Sequence, residues 1–327
     1  MNKQKIALTA LSLAAATMLA ACGGGGGGSS SGAAPSTPAS NPATNPANLS
    51  SPQYAADSTQ LAAFNLLNQQ RQQCGFPALQ DNSILDQAAQ AHADYMGLNN
   101  GTITDSEVAG NAGFTGITYG DRAVHFGYPQ GVYAGGVSEG YYTNATLSNA
   151  QYGQNLVYGW LSGVYHIAVG VWPVTAIGVG VNSTTFNGYP EIHATLSIAN
   201  LQAMPGNTPL TYPCQGTTGV PYQSLGEMPS PPNTSGAWGA PVAVAGNPTD
   251  TIVLQTGTMT DGSGHVITLQ LLDSAKDPNK LLPAFEGVAY PATPLTANTT
   301  YTVSITGTVN GTAFSRNFSF TTGNIVG

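Results

Sequence analysis

The chain has 327 residues, of which only 7% are charged, against roughly 25% in an average soluble protein. Lys+Arg number 7 and Asp+Glu 15, and Lys3 and Lys5 sit in the N-terminal segment. The remainder is too acidic to neutralise phosphates, which excludes nucleic acid as a partner. No Gly-rich loop followed by Lys-Ser or Lys-Thr is present for nucleotide chemistry. The length suggests two globular units, and 41% hydrophobic residues are enough to build their cores.

Met1–Lys5 carries two positive charges and Ile6–Ala21 is apolar, which is the pattern of a secretory signal over residues 1–21. Leu19-Ala20-Ala21-Cys22 resembles the lipobox of bacterial lipoproteins, whose cysteine becomes the lipidated first residue. Gly23 after that cysteine implies the outer membrane where the cell has one, facing the periplasm or the exterior. The membrane, reached through lipidated Cys22, is therefore one expected partner, with each buried CH₂ contributing about 0.8 kcal/mol. Residues 22–52 are rich in Gly, Ser and Pro and carry no charge, so a disordered tether is expected there. Cys74 and Cys214 are left as an even pair in an oxidising compartment and are expected to form a disulfide. Two separate buried thiols are the alternative.

Helical spacing of Leu61, Phe64, Leu67 and Arg71 predicts a helix over Asp57–Gln73, stopped by Gly75-Phe76-Pro77. A second helix is predicted from Asp81 to Asn99, a short third over Thr118–Phe126 and a fourth around Ser148–Leu161. Strands follow at Ala176–Val181 and Glu191–Ile198, joined by a turn region containing Asn187-Gly188. Helices followed by antiparallel strands indicate an α+β class.

The order of short motifs along this stretch is also informative. Asn68-x-x-Arg71, Pro77-x-Leu79 and Leu85-x-x-Ala88-Ala89-x-x-His92-Ala93 come first. Phe114-Thr115-Gly116, Asp121-Arg122-Ala123, Gly127-Tyr128, Ser138-Glu139-Gly140, Trp160-Leu161-Ser162-Gly163-Val164-Tyr165-His166 and Ile177-Gly178-Val179-Gly180 follow. This ordered set resembles the CAP superfamily of cysteine-rich secretory, antigen 5 and pathogenesis-related proteins, in its bacterial SCP-domain branch. The resemblance implies an α-β-α sandwich over residues 53–203 with a cleft lined by histidines and glutamates. In some members that cleft holds a divalent metal, in others sterols or lipids.

Carried over by position, Glu139 matches the cleft glutamate and His166 the second cleft histidine. Asp105, in Thr104-Asp105-Ser106-Glu107, stands where relatives have the first histidine, and Ile167 stands where they often have arginine. The three side chains Asp105, Glu139 and His166 are thus expected to share a cleft. With one imidazole they would suit Ca²⁺, Mg²⁺ or Mn²⁺ and hold Zn²⁺ less selectively. Glu139 and His166 could also act as a general acid and base in a peptidase-like hydrolase. Loss of the first histidine favours a non-enzymatic cell-surface module instead, with a lipid, peptide or glycan in the cleft.

Other features have simpler readings. Gly136-Val137-Ser138-Glu139-Gly140 spells the nucleophile-elbow pattern, but its flanks lack the required strand and helix. His92 shares a helix stripe with Ala88 and Tyr95 and reads as a core histidine, whereas His265 reads as exposed. Tyrosines concentrated between Tyr119 and Tyr165 are suited either to ligand contact or to packing. Pro and Gly crowd residues 204–240, which are expected to form a covering loop and linker. In residues 241–327, strands are predicted at Thr251–Gln255, His265–Leu272, Tyr301–Thr306 and Phe314–Thr321, with a hairpin at Asn310-Gly311. This last region resembles bacterial Ig-like modules, so an all-β Ig-like sandwich is expected there.

Overall fold

The computed structural model describes residues 47–206 and 208–327. The expected leader, Cys22 and the tether as far as residue 46 lie outside the described residues. Residues 47–52, expected to belong to the tether, are instead docked on the folded body. Asn48 and Asn82 pair through their side chains, and Leu49 N–H donates to the Asp81 carbonyl. Asparagine side chains there supply the partners that composition alone did not reveal.

Each predicted helix forms, and each is started by its own sequence. α1 (Thr59–Gln73) is capped by Ser58 Oγ, which accepts from Leu61 N–H. β1 (Gln80–Asp81) leads into α2 (Ser83–Leu98), capped by Asn82. α3 (Tyr119–His125) opens on a Thr118/Asp121 capping box. β2 (Tyr133–Tyr142) precedes α4 (Asn149–Ser162), which opens on a Ser148/Gln151 capping box. α5 (His166–Val171), β3 (Val174–Phe186) and β4 (Tyr189–Leu201) complete the first unit. The β3–β4 turn holds Asn187 and Gly188 at φ of 50° and 83°, as an Asn-Gly hairpin requires.

The first sheet has the order β1-β3-β4-β2, which leaves β2 on an edge. α2 lies against one face, where Gly178 and Gly180 admit the helix backbone so closely that a Cβ at either would strike it. α1, α4 and α5 cover the other face around Trp160, Trp172, Val137 and Leu196. Arg71, only 1% exposed, ties α1 to the α5–β3 junction by donating to the carbonyls of Gly170, Trp172 and Val174. Burial without a carboxylate partner lowers its pKa to about 9.

The second unit is two packed sheets. Its strands are β5 (Leu210–Tyr212), β6 (Thr218–Val220), β7 (Val242–Ala245), β8 (Ile252–Asp261) and β9 (Val266–Thr268). β10 (Gln270–Asp273), β11 (Glu286–Tyr290), β12 (Thr300–Val309) and β13 (Thr312–Thr322) follow. The sheet orders are β10-β11-β7-β5 and β6-β13-β12-β8-β9. Two expectations are corrected. The stretch 204–240 is more than a linker, since it supplies β5 and β6 to the two sheets. His265–Leu272 does not run as one strand, because at Leu269, which donates to the Gly257 carbonyl, the chain passes from one sheet to the other.

The two units share one core. Ala243, Ala245, Val288 and Tyr290 face the helical unit, while Val242, Val244 and Ala289 face the five-stranded sheet. β7 and β11 are therefore buried on both sides, so their sequences show no alternation. The Cys74–Cys214 disulfide, spanning 140 residues, pins the start of this unit to the end of α1. In the chain-entropy account such a loop closure contributes about 4–5 kcal/mol.

Glu286 lies at the junction, fully buried, with Oε2 accepting from Trp172 Nε1 at 2.7 Å and Oε1 without a partner. Burial pushes its pKa up to about 8. A carboxyl raised in the folded state stabilises fully below the unfolded pKa and loses that contribution as pH climbs through about 8. Denaturant unfolding between pH 5 and pH 8.5 is expected to show Glu286→Gln gaining stability relative to the parent as pH rises. Parallel pH profiles for the two proteins would contradict this assignment.

Candidate functional site

The alternation of β2 distributes the candidate residues. Successive side chains on a strand point to opposite faces, so Val137, Glu139 and Tyr141 face α4 and α5 while Ser138 and Gly140 face the other way. Glu139 lies against α4 at Gly159, where a Cβ would overlap its carboxylate. One turn on, a Cβ at Gly163 would meet His166 and Glu227 Oε2. These two glycines let polar side chains lie directly on the helix. Glu139 and His166 both open onto one cavity of about 530 Å³, whose other walls include Tyr141, Asn155, Leu225 and Val326.

Both groups are deeply buried, at 7% and 2% exposure. Glu139 Oε2 and both ring nitrogens of His166 have no hydrogen-bond partner among the described residues. Burial alone holds the Glu139 carboxyl well above the usual carboxylate range. The same cause lowers His166 to about 4. Burial thus disfavours the charged form of both groups, and each carries hydrogen-bonding atoms that no described residue satisfies.

Asp105 is a correction. It does not face this cavity but lies on the Ser138 side of β2, accepting from Tyr119 Oη at 2.6 Å and from Ser138 N–H at 3.1 Å. Tyr119 Oη also contacts Ser138 Oγ at 2.6 Å. The reason is the period of two along β2, which turns Ser138 toward α3 and Glu139 away from it. Asp105 is thereby a cap on the strand, buried and raised well above its ordinary pKa by burial.

Next to it, His92 bonds Glu107 at 2.9 Å and the Thr104 carbonyl at 2.7 Å. Glu107 in turn accepts from the N–H groups of Thr115 and Gly116. His92 is a hydrogen-bonded core histidine, as its helix stripe indicated. Ser138 is fully buried inside a strand and has no basic partner among the described residues, so it is no nucleophile. His265, with its side chain 70% exposed, sits on the polar hairpin. Of the clustered tyrosines, Tyr141 and Tyr142 line the cavity, whereas Tyr119, Tyr128, Tyr152 and Tyr165 are packed in cores.

One residue of the site escaped the sequence reading. Glu227, on the strap 222–228 of the second unit, reaches the α4–α5 turn, where its carboxylate accepts from the N–H groups of Val164, Tyr165 and His166. It fixes the backbone that carries His166. Burial raises its pKa to about 8, against the pull of those three donors. A signal was present: it is the sole charged residue between Glu191 and Asp250. An isolated charge in an apolar, Pro-rich stretch needs a buried partner or a purpose.

Residues 64–198 match the family model for CAP, the cysteine-rich secretory protein family. This stretch is a CAP domain. No curated protein matches the chain. Within the CAP domain, Glu139 and His166 line one cavity, and Asp105 lies on the far side of β2. Two protein donors fall short of the three that a catalytic zinc site uses. Among the described residues no group of three or more His, Cys, Asp or Glu comes together to hold a metal. Glu139 and His166 alone do not make up the donor set of a resident cation.

Removing the Glu227 carboxylate leaves three backbone donors buried without an acceptor. Glu227→Ala is expected to lower the unfolding free energy by on the order of 3 kcal/mol, whereas Glu227→Gln, which keeps an acceptor, loses less. Chemical denaturation of both variants checks this, and equal losses would show that the N–H clamp is not what the carboxylate provides.

Proposed function

We propose that this is a secreted protein, lipid-anchored at Cys22 in the bacterial envelope, whose CAP domain binds a neutral polar ligand in its cleft without turning it over. The observation that carries this reading is the pair of buried, unpartnered groups, Glu139 Oε2 and the His166 ring, opening onto one 530 Å³ cavity. Polar groups buried without partners are costly, and a ligand that satisfies them recovers that cost. A cavity of this volume is within the range of small-ligand sites.

Hydrolysis is less well supported. A working acid–base pair needs an oriented imidazole, and neither nitrogen of His166 is held by a carboxylate or carbonyl. The second unit, with its two packed sheets, serves in this reading as an Ig-like support that walls the cleft through its strap. No helix among the described residues is long and apolar enough to cross a membrane.

Equilibrium binding and mass spectrometry with a heptapeptide pool, a chitin tetrasaccharide and phosphatidylglycerol vesicles containing sterol test the reading. At least one probe is expected to bind and be recovered intact, with affinity falling about tenfold or more in His166→Ala and Glu139→Gln. Binding indifferent to both substitutions would overturn it. Fragments that disappear in both variants would establish the hydrolase instead.

A further inference from the structure

β2 is an edge strand, and the groups along its open side can be assigned. In an antiparallel ladder, alternate residues direct both N–H and C=O away from the partner strand. Ser138 N–H points outward, because it donates to Asp105 Oδ1. The far side of the sheet gives the same parity. Val179 and Val181 direct their N–H groups away from β4, to Asp86 and Gln90. Val179 lies opposite Leu196, which lies opposite Val137, and Gly180, Thr195 and Ser138 form the next row. Rows at Gly140–His193 and Tyr142–Glu191 continue the alternation of Ser138–Thr195.

Gly140 and Tyr142 thus present main-chain N–H and C=O groups outward, and no described residue pairs with them. Asp105 caps the strand at Ser138, and the opening begins immediately after it. Both residues line the same cavity as Glu139 and His166, whose walls also include Ser224–Gly226 and Val326. An edge left open where it lines a cavity contrasts with the usual covering of strand edges. A Cβ at Gly140 would strike the Ile103 side chain, so packing on the sheet face requires the glycine there, while its main-chain edge stays open.

We propose that the open edge of β2 at Gly140 and Tyr142 binds an extended polypeptide segment by main-chain pairing, as an added strand inside the cleft. The inference rests on the ligand-binding reading above and names its ligand class. Side chains of the added strand alternate between two walls. One set meets Glu139 and His166; the other meets Ile103 and Glu191. The unpartnered Glu139 carboxyl and His166 ring beside the edge offer hydrogen-bonding atoms to an amide.

The test uses the full chain and a pool of acetylated, amidated heptapeptides built from Val, Leu, Thr and Tyr. A second pool carries a methyl group on every backbone nitrogen. Main-chain pairing predicts that methylation weakens binding about tenfold or more. It also predicts slowed amide hydrogen exchange at Gly140 and Tyr142 on binding, with Glu139 and Tyr141, already paired to β4, unchanged. Equal binding of the methylated pool overturns the proposal, as does failure of every peptide to bind. Binding of the tetrasaccharide or the vesicles alone, lost in His166→Ala, sinks the peptide while the cleft reading stands. Protection of the two amides that grows with protein concentration, without peptide, assigns the edge to a second copy and likewise overturns it.

Discussion

The two-residue period of β2 decides what this site is. Glu139 and Ser138 are neighbours in sequence, yet the strand sends one toward α4 and α5 and the other toward α3. Everything attached to them divides accordingly. On one side Asp105, Tyr119 and Ser138 form a closed network of hydrogen bonds. On the other, Glu139 and His166 face a cavity with no such network. Asp105 falls on the Ser138 side and serves there as a cap on the strand edge.

A second theme is where the sparse charge goes. Asp81, Asp105, Glu107, Glu139, Glu227, Asp273, Asp277 and Glu286 are buried, more than half of the 15 carboxylates. Most act as acceptors for main-chain donors rather than as ion-pair partners. Asp277 accepts from Leu281, Leu282 and Asn279 N–H groups as well as Tyr165 Oη, and Asp273 accepts from Leu254 N–H. Irregular loops with buried backbone need such acceptors. Glu139 departs from this pattern, being buried with only burial acting on its pKa.

Much of this was legible in the sequence. Ser58, Asn82, Thr118 and Ser148 start the helices that the apolar spacing predicted, Asn187-Gly188 makes the expected turn, and the even cysteine pair is bonded. Glu139 and His166 line one cavity. What stayed hidden has a common cause. α5 is buried on every side and β7 and β11 are covered on both faces, so none shows the contrast on which periodicity depends. β2 is rich in glycine and tyrosine and lacks an alternating pattern. The Asp105 expectation failed because motif alignment gives a residue's place along the chain, not the face of the neighbouring strand it will meet. Glu227 lies outside the family segment altogether, and its role exists only because the second unit folds back on the first.

The most direct measurement is a crystal structure of the full chain grown with excess Zn²⁺, with the metal located by anomalous scattering. The account predicts Asp105 hydrogen-bonded to Ser138 N–H, Glu139 and His166 facing a common cavity, and no zinc held by all three. A zinc ion bound jointly by Asp105, Glu139 and His166 would contradict it.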